Sequence, residues 1–239
     1  LFRSPDIDDT GRRKGKELAL RFIDIHTIWL PSWLSTYRDN RGHARKDLRD
    51  WMELRSEKKD FKNLMRVAMP AKFWVSYLTK EGKWKHEIDT ACLYNFLMLN
   101  GFYALHDDNS SVTQYVRVEG NIVKHINVKD IREFVTSWVR DRYEERDILN
   151  LVLNTPKLSS AALEALQEIN LDFTSYTSNS QLFFFPNKTV EVVRPESLND
   201  DGFREYTPGS DDLHNYVWEE NVIDHKFKKL PDAFKITRS

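Results

Sequence analysis

Apolar residues recur at helical spacing over several stretches of the chain. Between Arg12 and Phe22, Leu18, Ala19 and Phe22 share a face while Arg12, Lys16 and Glu17 can meet solvent, which predicts a helix. The short apolar run Ile25–Leu30, ended by Pro31, predicts a buried strand. Lys46–Leu54 can form a short helix. Ser56 can cap the next, with Phe61, Leu64, Met65 and Ala68 inward and Pro70 as its stop. Asp89 or Thr90 can cap a strongly apolar helix through Leu99, closed by Asn100-Gly101. Val128–Arg142 is amphipathic, with Ile131, Phe134, Val135, Trp138 and Val139 inward, and Glu144–Leu153 and Leu158–Ile169 predict two further helices. Lys80–Lys83 predicts a turn. Two pairs of apolar runs flank turn residues and predict hairpins, one around Glu119-Gly120-Asn121 and one around Pro186-Asn187-Lys188. Asn199–Leu213 is acidic, contains glycine and is expected to be flexible.

These elements predict an α+β chain. Residues 1–55 carry the order strand end, acidic loop, helix, strand, which is an α/β unit. Residues 56–88 are expected to form a helical linker. Residues 89–239 are expected to form a mixed, mainly helical domain with β-hairpins.

Composition narrows the class. The chain has 239 residues, of which 40% are hydrophobic and 31% charged, and its seven Trp and fourteen Phe need an interior. That excludes a disordered composition. Cys92 is the single cysteine, so neither an internal disulfide nor a cysteine-based zinc site can form. A reducing, cytoplasmic setting is the expectation. No run approaches the roughly 20 apolar residues that span a bilayer, so no membrane partner is expected. The formal net charge of -1 hides an asymmetry. Gly11–Arg66 holds fifteen Lys and Arg against eight Asp and Glu, whereas Glu191–Glu220 holds two Arg against nine Asp and Glu. A basic first quarter suits a phosphate-rich partner such as DNA, or a solvated face laced with salt bridges.

The candidate chemistry is concentrated at Asp6-Ile7-Asp8-Asp9-Thr10-Gly11. On an extended segment residues i and i+2 point to one face. Asp6 and Asp8 can therefore share a hard divalent cation such as magnesium or manganese, with Asp9 beside them. Gly11 lets the chain turn into a helix whose N-terminus favours anions, and Arg12, Arg13 and Lys14 add positive charge. A metal beside phosphate-binding groups is what phosphoryl transfer requires. The structural alternative is an Asx-type turn capping a helix. Asp6, Asp8, Thr10, Gly11 and Glu17 also fall on the spacing of a calcium-binding EF-hand loop. Pro5 in place of a preceding helix, and the cations from Arg12 to Lys16, exclude that reading.

Pro5–Arg13 resembles the second acidic motif of TOPRIM domains in bacterial and phage primases. The following helix and the strand ending at Leu30-Pro31 are similar in order, and Lys46-Asp47-Leu48-Arg49-Asp50 resembles the Lys-Asp-x-x-Asp segment beyond that strand. The likeness covers about residues 1–55. Leu93–Leu105, Tyr115–Val123 and Phe183–Val190 followed by Tyr216-Val217-Trp218 are similar to the region that precedes a superfamily 3 type helicase domain in mobile-element proteins.

The resemblance implies a fragment of a primase–helicase of a phage or mobile element. Asp6 and Asp8 would be catalytic metal ligands for primer synthesis, with Asp9 a further ligand. Arg12, Arg13, Lys14, Arg45, Lys46 and Arg49 would contact DNA, single-stranded or as primer–template. The helicase domain of the same polypeptide would be a partner, and self-association stays open. The family's catalytic glutamate lies on an earlier strand, expected before Leu1, so this piece alone is expected not to prime. No G-x-x-x-x-G-K-S/T phosphate loop occurs, and no ATPase activity is expected. The alternative class is a non-catalytic DNA-binding or adaptor module.

Other constellations are weaker. The seven histidines are scattered without metal-ligand spacing. Trp29, Trp33, Tyr37 and Trp51 lie among Arg38, Arg41, Arg45, Lys46 and Arg49, a pattern suited to stacking single-stranded bases or to a core with a basic rim.

Overall fold

A computed structural model describes residues 1–55, 57–105, 113–142, 144–194, 202–210 and 212–229. Helices and strands are both present throughout, so the chain is α+β. It forms two compact units: residues 1–116 with 126–169, and residues 117–125 with 170–239.

The first unit opens with a parallel pair. β1 (Phe2–Arg3) and β2 (His26–Thr27) are joined through α1 (Asp9–Arg21). Parallel strands need such a crossover. The expected strand Ile25–Leu30 contributes only two paired residues. Ile28 N–H still reaches Arg3 O at 2.8 Å, and Thr27 and Met69 exchange main-chain hydrogen bonds. α2 (Leu48–Leu54) and α3 (Lys58–Arg66) follow. Ile28, Leu30, Leu34, Trp51, Leu64 and Ala68 form a small buried core among these pieces.

The span expected to be a helical linker is helical only as far as Arg66. β3 (Trp74–Leu78) and β4 (Trp84–Ile88) then form an antiparallel hairpin around the expected Lys80–Lys83 turn. Its pattern concealed it, because Val75, Tyr77, Leu78 and Trp84 are all exposed and no clean apolar face alternates with a polar one. Ser56 lies outside the described residues. The helix after it begins without a side-chain cap.

The main core belongs to α4 (Thr90–Leu99), β5 (Phe102–Leu105), α5 (Val128–Asp141) and α6 (Arg146–Asn154). Asp89 caps α4 by accepting from Cys92 N–H at 3.0 Å. Gly101, at φ 82°, ends it in a conformation that glycine adopts at no steric cost. Asn127 and Asp130 form a reciprocal capping box at the start of α5. Ile131, Val135 and Val139 are fully buried at helical spacing, as the sequence pattern predicts.

The expected helix Leu158–Ile169 is one turn only, α7 (Ser160–Leu163). The chain then extends so that β8 (Glu168–Ile169) pairs in parallel with β5, with Ala104 N–H donating to Gln167 O at 3.0 Å. Pairing with a distant strand overrides local helical preference here.

Cys92 is buried, and burial together with nearby Asp89 pushes its thiol pKa up to about 12. A free thiol ionises near pH 8.5, and the thiolate is the reactive form. Iodoacetamide at mildly alkaline pH is therefore expected to leave Cys92 unmodified in the native protein and to modify it completely in denaturant. Fast native labelling would contradict the buried position.

β6 (Gln114–Glu119) runs from the first unit into the second and forms the expected hairpin with β7 (Ile122–Ile126). In the second unit β9 (Ser180–Phe184), β10 (Thr189–Val193) and β11 (Phe203–Tyr206) make an antiparallel sheet, the first two being the other expected hairpin. β11 lies inside the segment expected to be flexible, of which residues 199–201 and 211 are outside the described residues. β12 (Val217–Trp218) runs parallel to β7. Asn121 is buried and ties this unit together, donating to Leu213 O and Asn215 O and accepting from Gly209 N–H. Among the described residues no helix is long and apolar enough to cross a membrane.

Candidate functional site

The acidic loop leaves the carboxyl end of β1 and enters α1 directly. Two close approaches fix its path. Pro5 is buried, and a β-carbon on Gly15 would lie 2.9 Å from the Pro5 ring and 3.2 Å from Trp29. A β-carbon on Gly11 would lie 2.6 Å from Asp6 O, a main-chain atom that cannot swing away. Gly11 and Gly15, one turn apart, thus let α1 lie against the acidic segment.

Asp8 is the N-cap of α1, its Oδ1 accepting from Gly11 N–H at 2.8 Å. Its Oδ2 accepts from Lys46 Nζ at 3.1 Å, and Asp6 Oδ2 lies 3.4 Å from the same ammonium. The main chain sets this register, because Ile7 N–H donates to Lys46 O at 2.9 Å. The two carboxylates therefore converge on one cationic group while both remain partly open to solvent. The Gly11 N–H, and then Lys46, hold the Asp8 carboxyl below the usual carboxylate range. Asp8 first, and then Asp6, hold the Lys46 ammonium above its usual value. Asp9 is exposed in the first turn of α1 and does not share in this cluster.

The basic residues divide by role. Arg12 turns inward, donating Nε to Ile7 O at 3.0 Å and Nη2 to Leu30 O at 3.3 Å. Arg13, Lys14 and Arg49 are exposed. Arg45 is buried, with Nη1 2.6 Å from Glu53 and 3.6 Å from Asp50, so its charge is spent inside the protein. Lys46 is spent on the acidic pair. The Asp47-x-x-Asp50 spacing is a capping box: Asp47 accepts from Asp50 N–H, and Asp50 accepts from Asp47 N–H. Of the interleaved aromatics, Trp51 is buried and Trp29 packs on the main core. Trp33 and Tyr37 are exposed edge to face at 5.8 Å, with Arg55 over the Trp33 ring.

Sequence reasoning missed Lys46 as the partner of Asp6 and Asp8. The two sites are 38 residues apart, and only the fold joins them. It also missed the capping box, which the Asp-x-x-Asp spacing before an apolar run could have shown. Among the described residues no group of three or more His, Cys, Asp or Glu is placed to hold a metal ion. The chain matches no family model, no curated protein and no solved structure.

Proposed function

We propose that the chain supplies half of a divalent-metal site for primer synthesis in the replication of a phage or mobile element. The observation that carries this reading is the convergence of the Asp6 and Asp8 carboxylates on a single cation at the mouth of α1. Two carboxylates are fewer than the six oxygens of an octahedral magnesium or manganese site, so water and nucleotide phosphate would complete the set. The bound ion would neutralise charge on the phosphoryl group in transfer. In this reading Asp6 and Asp8 hold the ion, and exposed Arg13, Lys14 and Arg49 meet DNA. The region after residue 55 links to a helicase domain of the same polypeptide.

A second reading is favoured by one specific observation. Lys46 already offsets one of the pair's two negative charges, and Asp8 already has a structural task as a helix cap. A DNA-binding or adaptor module would need nothing more from these residues.

Manganese titration of the chain, read by electron paramagnetic resonance, separates the two. The first reading expects saturable binding at about 0.1–1 mM, the range of weak oxygen sites. It expects tighter binding when Lys46→Ala removes the competing ammonium. Absence of binding in Lys46→Ala, with DNA affinity retained, would establish the adaptor.

A further inference from the structure

Within the first unit, the β3–β4 ribbon and α6 place a serine, a histidine and a carboxylate in series. Ser76 and His86 are cross-strand partners, with Ser76 Oγ 2.7 Å from His86 Nδ1. β4 lies against α6, and Glu145, the residue that opens α6, brings its carboxylate to 3.7 Å from His86 Nε2. The His86 side chain is 9% exposed, whereas Ser76 is open to solvent. An ionised glutamate only accepts hydrogen bonds, so Glu145 favours the tautomer with the proton on Nε2. Nδ1 is then an acceptor, and the Ser76 hydroxyl donates to it. An exposed hydroxyl that donates to an imidazole, itself oriented by a carboxylate, is the arrangement of an activated serine nucleophile.

A bare cross-strand hydrogen bond would leave two further features unused. Thr79 N–H donates to Lys83 O and Asp89 N–H to Phe73 O, so the odd-numbered residues of β3 bond to β4. The N–H of Ser76 therefore points off the other edge of the ribbon, which no described strand pairs. A cavity of about 750 Å³, within the size range of small-molecule sites, runs along that edge. Trp74, Val75 and Ser76 of β3 line it, and no residue of β4 does. Val67, Met69 and Pro70 give it apolar walls, with Arg66 and Lys72 beside them, Lys72 held by Asp24 at 3.0 Å. The nucleophile thus stands at the edge of an apolar cleft with its own main-chain donor beside it.

We propose that Ser76 and His86 are the catalytic residues of a hydrolase for small carboxylic esters, with Glu145 as a positioning residue. Ser76 Oγ bonds to the ester carbonyl carbon as its proton passes to His86 Nδ1. The Ser76 N–H donates to the carbonyl oxygen as charge gathers there. The carbon–oxygen bond to the alcohol then breaks, and the alcohol leaves with the proton from Nδ1. Water, giving a proton to the same nitrogen, splits the acyl-serine into a carboxylic acid and the restored hydroxyl. The site shares no residue with the acidic pair and uses no metal.

The test is hydrolysis of p-nitrophenyl butyrate by the full chain in EDTA, with a fluorophosphonate as serine label read by peptide mass spectrometry. EDTA removes any contribution of Asp6 and Asp8, so failure of the metal reading leaves the result intact. Saturable turnover and labelling at Ser76 are expected. Ser76→Ala and His86→Ala should each lower kcat/KM at least about a hundredfold, the Ser76 variant with unchanged melting because its side chain is exposed. Glu145→Ala should lower kcat about tenfold with KM unchanged, a split that loss of packing alone would not give. Turnover no faster than that of the denatured chain would overturn the proposal. So would turnover retained in Ser76→Ala, or a native chain whose Ser76 stays unlabelled.

Discussion

Phe96→Ala is expected to lower the free energy of unfolding by about 3–5 kcal/mol, the range for deleting a fully buried aromatic ring. Phe96 is 0% exposed, at the centre of the main core. Its ring lies 4.6 Å from Trp138 in an edge-on contact, 4.9 Å from Phe73 and 6.1 Å from Phe134. The variant loses the transfer energy of the ring, leaves a cavity that α4 and α5 can close only in part, and removes aromatic pairs worth about 0.5–1.5 kcal/mol each. Natural domains hold only about 5–15 kcal/mol in reserve, so this single change brings the first unit close to unfolding. Phe96→Leu keeps most of the volume and is expected to cost less than half as much. Denaturant unfolding followed by tryptophan fluorescence measures both, with Trp138 as a reporter inside the cluster. A loss below about 1.5 kcal/mol for Phe96→Ala would show that the four rings do not act as one packed core.

That core was readable in the amino-acid pattern, and the reason is local. α4 combines a capping residue, an apolar run and the closing Asn100-Gly101, and α5 combines a capping box with an apolar face, so short-range preference and long-range packing agree. The hairpins around Gly120 and Asn187 were readable for the same reason, since turn residues sit between two apolar runs. β3 and β4 were hidden because Val75, Tyr77, Leu78 and Trp84 are exposed along the ribbon while Trp74 at its base enters the core, so neither strand alternates cleanly. β8 was hidden because its pairing with β5 lies more than sixty residues away in the chain. Local preference for helix is met only over Ser160–Leu163, and beyond it the sheet edge takes Glu168–Ile169.

The candidate site divides along the same line. The spacing of Asp6 and Asp8 shows in the sequence. The ammonium that joins them, the inward turn of Arg12 and the burial of Arg45 against Glu53 do not, because each depends on strands and loops meeting across tens of residues. A basic cluster in sequence thus resolves into structural cations and a smaller exposed set.

On the proposed reading of a metal site for primer synthesis, Asp6→Asn with Asp8→Asn in the full-length protein should reduce primer synthesis by at least about a hundredfold. The magnitude follows from the several kcal/mol of charge stabilisation that a bound metal supplies, at about 1.4 kcal/mol per tenfold in rate. Asparagine is the informative replacement. It keeps the shape of each side chain, and as a preferred N-cap it can still accept from Gly11 N–H, so α1 retains its start. Lys46 loses two partners, but it is half exposed, and pairs of that kind contribute little to stability. The melting temperature should therefore move by no more than a few degrees while metal-dependent activity disappears. Priming retained in the double variant, with the fold intact, would remove the acidic pair from the chemistry and leave Asp8 as a helix cap held by a lysine.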